Sequence, residues 1–257
     1  MTFKHQKYIF LLLFLATLFS CSSGAKITYL QNVDEKLSEE ITLKYEPILQ
    51  PDDLLSIIVS AQNPESTIPF NLPKIQGDYG INNNQNGIKT YLIDNDGEID
   101  FPVLGKIKLG GLVRSEANKK LESVVSEYVK NPGINLRILN FKISVLGEVN
   151  RPGTFSIDSE RITLLEALGK AGDLTIYGKR TDILIIREIN GEKKYQRIDI
   201  TKSDFVSSPF YYLAQNDVVV VNPNKTKINA SVVGPNSTVI LSSISLLVTI
   251  LVLLFKK

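Results

Sequence analysis

Two uncharged apolar runs, one at each end of the chain, bound how it can fold: Tyr8–Phe19 behind Lys4 and Lys7, and Thr238–Phe255 before Lys256 and Lys257. Runs of this kind are not stable facing water and need a lipid or protein cover. The first has 12 residues, too few to span a bilayer. Its basic lead and the small residue at its end give it the layout of a secretory signal over residues 1–20. The second covers 18 residues, roughly 27 Å as a helix, and predicts a transmembrane helix over residues 237–255. Thr238, Ser242, Ser245 and Thr249 recur on it at i, i+4, i+7 and i+11, which makes one hydroxyl stripe. Two readings of the stripe stand side by side. The hydroxyls bond carbonyls one turn back in a lone anchor, or they form a seam between packed membrane helices.

Charge and scarce residues narrow the chemistry of the body. Without Lys4 and Lys7 the 29 basic residues fall to 27, matching the 27 acidic ones. A balanced chain without a basic cluster has no footprint for nucleic acid. His5 is the only histidine, Cys21 the only cysteine, and tryptophan is absent. A Ser-His-Asp triad, a Cys-His pair and a zinc centre all need imidazole or several thiolates. No metal site and no cofactor is therefore expected, and a single cysteine forbids an internal disulfide. Among enzyme chemistries only a pair of carboxylates, as in glycoside hydrolysis, stays open, and nothing in the spacing brings such a pair together.

Leu18-Phe19-Ser20-Cys21 resembles the lipobox of bacterial lipoproteins, with Phe19 bulkier than the usual residue. The resemblance implies a lipidated Cys21, whose buried acyl methylenes contribute about 0.8 kcal/mol each. The alternative is a simple signal followed by an incidental cysteine. Residues 21–41 read as a polar tether. Ser22 and Ser23, with no acidic run, point by the same resemblance to the outer membrane.

Between the ends the pattern predicts an α+β body in two parts. In the first, Gln50-Pro51-Asp52-Asp53 turns into the apolar run Leu54–Val59, which reads as a strand. Residues 61–87, rich in Asn, Gln and Pro, form a long loop. Asp94-Asn95-Asp96-Gly97 reads as a hairpin turn that needs Gly97 at positive φ; a calcium loop would require further ligands that the sequence lacks. Ser115 is expected to cap a helix with Ala117, Leu121, Val124, Val125 and Tyr128 on one face, ended by Asn131-Pro132-Gly133.

The second part begins near Asn140. Phe141, Ile143 and Val145 alternate with polar residues, and Gly147 to Gly153, through Pro152, turns the chain. Thr163-Leu164-Leu165-Glu166 is a capping box, with Leu164, Leu165, Leu168 and Ala171 as its buried stripe and Gly172 as its stop. Residues 182–189 and 195–200 predict two strands around an Asn190-Gly191 turn. The valine run 218–221 closes the unit.

In this order the segments resemble the Wza-type polysaccharide export family of bacterial outer-membrane lipoproteins. Pro51-Asp52-Asp53-Leu54-Leu55-Ser56-Ile57 is similar to its opening Pro-Gly-Asp segment, with Asp52 where glycine is usual. Tyr91-Leu92-Ile93-Asp94, Asp96-Gly97, Phe101-Pro102-Val103-Leu104-Gly105 and Tyr128-Val129-Lys130-Asn131-Pro132 resemble its export domain. Val145-Leu146-Gly147-Glu148-Val149, Pro152-Gly153, Thr163–Leu168 and Ala171-Gly172 resemble the soluble-ligand-binding beta-grasp module. Leu213–Val218 is similar to that module's closing strand, with Asn216 in place of a frequent glycine. The resemblance implies a strand-rich polysaccharide export domain over 42–139, a beta-grasp-like domain over 140–232, and the C-terminal helix. It further implies a homo-oligomer ring through which capsular or extracellular polysaccharide leaves the cell, with an inner-membrane copolymerase as partner. Such a conduit needs no catalytic group. A glycan-binding or copolymerase-docking lipoprotein that is not itself the pore is the alternative.

Overall fold

The computed structural model describes residues 27–33, 45–71, 90–189, 191–233 and 237–254. The signal segment, Cys21, most of the 21–41 stretch, most of the 61–87 loop and Asn190 lie outside the described residues. The described chain is α+β, with two domains that each enclose their own apolar core.

In the first domain β1 (Leu54–Ser60) lies between β2 (Tyr91–Leu92) and β5 (Gly133–Ile138), antiparallel to both. Its side chains follow the strand period: Leu55, Ile57 and Val59 are buried, whereas Ile58 and Ser60 face out. A separate hairpin, β3 (Glu98–Phe101) with β4 (Gly105–Lys108), covers the core from another side. Helix α1 (Arg114–Val125) contributes Ala117, Leu121 and Val125. Two expectations are corrected. The Gly97 turn does not close a hairpin; it joins β2 to β3, which belong to different sheets. Helix α1 starts at Arg114 and ends at Val125, before the Asn-Pro-Gly stop. Ser115 is not its cap but lies inside the first turn; the Glu116 carboxylate accepts the Val113 N–H at 3.2 Å, and the Glu46 carboxylate accepts the Ser115 N–H at 2.9 Å. A partner 69 residues away leaves no local signature. Tyr128, beyond the helix end, is exposed and packs on Phe70 with ring centroids 5.8 Å apart.

The second domain is built on a five-stranded sheet in the order β10-β9-β12-β6-β7, comprising β6 (Lys142–Gly147), β7 (Gly153–Ser156), β9 (Gly178–Ile189), β10 (Glu192–Ile198) and β12 (Val218–Pro223). The valine run is the last strand of the domain in sequence but not an edge of its sheet. It is the central strand, parallel to β6 and antiparallel to β9, and its alternate valines Val219 and Val221 are fully buried. Two short strands, β8 (Ile162–Thr163) and β11 (Tyr212–Leu213), pair beside the sheet, and α2 (Leu164–Lys170) follows β8 directly. The capping box forms as the sequence dictates: the Glu166 N–H donates to the Thr163 hydroxyl at 3.2 Å, and the Thr163 N–H donates to the Glu166 carboxylate at 2.7 Å. Leu164, Ala167, Leu168 and Ala171 are buried, while Leu165 is half-buried.

Residues 27–33, expected as part of a free tether, are docked on the second domain. Leu30 and Gln31 donate backbone N–H groups to the carbonyls of Ile200 and Thr201, at 3.2 and 2.8 Å. The Tyr29 hydroxyl donates to Asp173 at 2.5 Å, and the Arg180 guanidinium lies 5.5 Å from the Tyr29 ring centroid.

After α3 (Lys225–Val233) the chain ends in α4 (Ser237–Leu254). The expected transmembrane helix is corrected here. Helix α4 has 18 residues, at the short end of the roughly 17–25 that span a bilayer. Among the described residues no helix is long and apolar enough to cross a membrane. Even so, Leu241, Leu246 and Leu247 are exposed, and α4 belongs to neither core.

Candidate functional site

The expected turn residues do structural work. Gly97 sits at φ +79°, and a Cβ there would stand 3.2 Å from the Gly110 Cα. The Asp94 carboxylate accepts the Asp96 and Glu98 N–H groups at 3.0 and 2.8 Å, which binds it into the turn. Gly147 sits at φ +92°, and a Cβ would fall 2.1 Å from the Val221 carbonyl oxygen, inside the β6–β12 pairing. Both positions exclude a side chain. Pro152 is exposed and Gly153 opens β7; Gly172 follows α2. Of the stripe residues, the Ser242 hydroxyl donates to the Val239 carbonyl at 2.9 Å and Thr249 to the Ser245 carbonyl at 2.8 Å. These are bonds within one helix. Ser245 is exposed, and the Thr238 side chain lies outside the described residues.

The features the sequence did not single out meet at the seam between the domains. Asn140, in the link, accepts the Leu54 N–H at 2.9 Å and donates its side-chain amide to the Asp52 carbonyl at 2.8 Å. Its own carbonyl accepts the Gln215 amide at 2.8 Å. One residue thus fastens the turn that opens the first domain to the turn that leads into β12. Tyr45 crosses the same seam, stacking on Tyr212 with centroids 4.9 Å apart and donating its hydroxyl to the Leu213 carbonyl at 3.2 Å. Burial pushes that phenol up to about 12.

Two buried aspartates flank Asn140. Asp217 accepts a two-pronged contact from Arg187, at 3.0 Å from Nε and 2.7 Å from Nη2. Burial pushes its carboxyl up, and the guanidinium pulls it only part of the way back. Asp53 has no such cation among the described residues. It accepts the Gln50 N–H at 2.8 Å through Oδ2, and its Oδ1 is buried without a partner. Burial pushes the Asp53 carboxyl up to about 6. The Gln50 N–H and the Gln215 amide counter this only in part.

Beside the seam lies a cleft of about 210 Å³, lined by Pro47, Arg114, Arg137 and Ile138 and, from the second domain, Phe141, Asp158, Ser159 and Glu160. Arg114 Nη1 is 3.1 Å from Glu160, an ion pair that ties the domains across the cleft. Arg137 and Asp158 have no side-chain partner among the described residues. The lining comes from distant segments, so no sequence motif could have announced it. Among the described residues no group of three or more His, Cys, Asp or Glu could hold a metal ion.

A strand-rich unit followed by a second, five-stranded unit matches a known domain order. Residues 42–139 match the family described as polysaccharide biosynthesis/export protein, and residues 141–221 match the SLBB domain. The chain belongs to the Wza-type polysaccharide export family. It is 30% identical over 194 residues to the EPS I polysaccharide export outer membrane protein EpsA of Ralstonia solanacearum, an alignment covering 72% of this chain and 51% of that protein. It is 32% identical over 141 residues to the protein of the same name from Ralstonia nicotianae, covering 52% of this chain and 37% of that one. The chain spans about half the length, or less, of these curated relatives.

Proposed function

We propose that this chain is an outer-membrane lipoprotein that assembles with copies of itself into a passive conduit for capsular or extracellular polysaccharide. The observation that carries the reading is the unbroken succession of an export domain and an SLBB domain over residues 42–221. The relatives are named as outer-membrane polysaccharide export proteins. Passage of a hydrophilic polymer needs walls that bind weakly and release, and no nucleophile or metal. One unit of this size cannot enclose a glycan-wide lumen, so the reading requires a ring closed by head-to-tail contacts. Lipid on Cys21 would hold the ring to the membrane, and an inner-membrane copolymerase would feed it from the periplasm. The apolar, exposed surface of α4 calls for a cover outside the chain: lipid or the same helix of neighbouring copies along the Thr238, Ser242, Ser245 and Thr249 face.

A second reading, a docking or glycan-binding lipoprotein beside a separate pore, is favoured by the shortness of α4. Imaging the detergent-extracted complex separates the two. A ring with an axial lumen is expected; a monomer without an opening would overturn the conduit. Cys21→Ala is expected to lose lipid labelling, and normal labelling would refute the anchor.

A further inference from the structure

We propose that the seam cleft is a binding site for a single uncharged sugar unit of the exported chain; this rests on the export reading above. The two guanidiniums, Arg114 and Arg137, and the two carboxylates, Asp158 and Glu160, leave the lining without net charge. Arg114 and Glu160 neutralise one another at 3.1 Å. Arg137 and Asp158 remain, a donor and an acceptor with no side-chain partner among the described residues, on walls supplied by different domains.

A hydroxylated ring is the ligand this pair suits. A guanidinium presents parallel N–H groups to neighbouring hydroxyl oxygens, and a carboxylate accepts O–H donors; both are charge-assisted bonds. The half-buried apolar part of the lining, Pro47 and Ile138, meets the C–H face of such a ring. The volume of about 210 Å³ is below the range of roughly 300–1,000 Å³ that holds drug-sized ligands, so one monosaccharide unit fits rather than a stretch of polymer. A polyanion is disfavoured, because each carboxylate it brings would meet Asp158 as well as Arg137. A site of this kind would hold the polymer briefly where the two domains meet, and a weak grip is what passage requires.

The test uses the full chain in detergent and short fragments prepared from the surface polysaccharide of the cells that make it. Fragment binding is followed by saturation-transfer NMR for the wild type, Arg137→Gln and Asp158→Asn. Both positions are exposed, so the variants are expected to keep the wild-type circular dichroism. Binding by the wild type, weakened about tenfold in each variant and unchanged by raising salt to about 0.5 M, is the expected result. Equal binding by all three proteins, or none by any, overturns the site. A steep loss with salt overturns the uncharged assignment. Surface polysaccharide measured in cells lacking the chain keeps the two readings apart: export that persists without the chain refutes the function, whatever the cleft binds.

Discussion

Gln50-Pro51-Asp52-Asp53 leads into β1 of the first domain, and Ala214-Gln215-Asn216-Asp217 leads into β12 of the second; the two turns are built alike. In each, the third residue is left-handed without being glycine, Asp52 at φ +68° and Asn216 at φ +64°. In each, the following aspartate is fully buried and accepts the N–H of the turn's first residue at 2.8 Å. The backbone closes the turn in the same sense, through Asp53 N–H to Gln50 O at 3.1 Å and Asp217 N–H to Ala214 O at 3.2 Å. The difference is the cation. Arg187 grips Asp217, whereas no cation among the described residues neutralises Asp53. One device therefore gives a domain whose buried carboxylate is paired with a guanidinium, and another whose carboxylate, pushed up to about 6 by burial, has no such partner among the described residues.

The largest effect is expected from removing the cation. Arg187 also donates to the carbonyls of Tyr212 and Pro209, at 2.8 and 3.3 Å, and its guanidinium lies 4.5 Å from the Phe210 ring centroid. Arg187→Met leaves the Asp217 charge buried and unpaired, a loss of about 3–5 kcal/mol. Urea denaturation should show it as a large fall in the midpoint for the second domain. A fall of less than 1 kcal/mol would place the pair with exposed ion pairs and dissolve the contrast.

Asp53 gives the next effect, and its sign is fixed by linkage. Its folded carboxyl titrates at about 6, above the ordinary value of about 3.9, so the folded chain holds the proton more tightly. The favourable contribution is complete below about pH 4, is lost as pH rises towards 6, and is absent beyond it. The span corresponds to about 2–3 kcal/mol. Asp53→Asn keeps an acceptor for the Gln50 N–H and removes the charge. It should be more stable than the wild type by about 2 kcal/mol at pH 7 and equal to it near pH 4. A stability difference independent of pH would show that Asp53 does not titrate between those limits.

How much of this was legible in the sequence depends on the range of the causes. The strand over β1 and the capping box at Thr163 and Glu166 have local causes, and the structure repeats them. The position of the valine run in the middle of its sheet depends on pairing with β6 and β9, which apolarity alone does not reveal. The start of α1 depends on Glu46, and the docking of residues 27–33 depends on Asp173 and Arg180. Each is a contact between segments far apart in the chain. The cleft is the extreme case, because Arg137 and Asp158 belong to different domains and neither lies in a motif. Asp52 and Asn216 were visible as departures from a family pattern that has glycine, and the positive φ at both gives the physical reason for that glycine.

The smallest effect sharpens the comparison at those two residues. A left-handed backbone costs an L-residue roughly 1–2 kcal/mol, less for Asn and Asp, which visit that region most readily after glycine. Replacement by glycine removes the strain but adds freedom to the unfolded chain, an opposing term of about 0.4–1 kcal/mol. Asp52→Gly is expected to gain up to about 1 kcal/mol, because it also removes a negative charge next to Asp53, a charge that raises the Asp53 carboxyl further. Asn216→Gly has no charge to relieve and should change stability by a few tenths of a kcal/mol at most. Thermal denaturation of the two variants at pH 7 measures the gap. Equal shifts would mean that backbone strain alone governs both turns. A larger gain at Asp52, shrinking as the pH is lowered and Asp53 takes its proton, would tie the extra stability to the uncompensated carboxylate beside it.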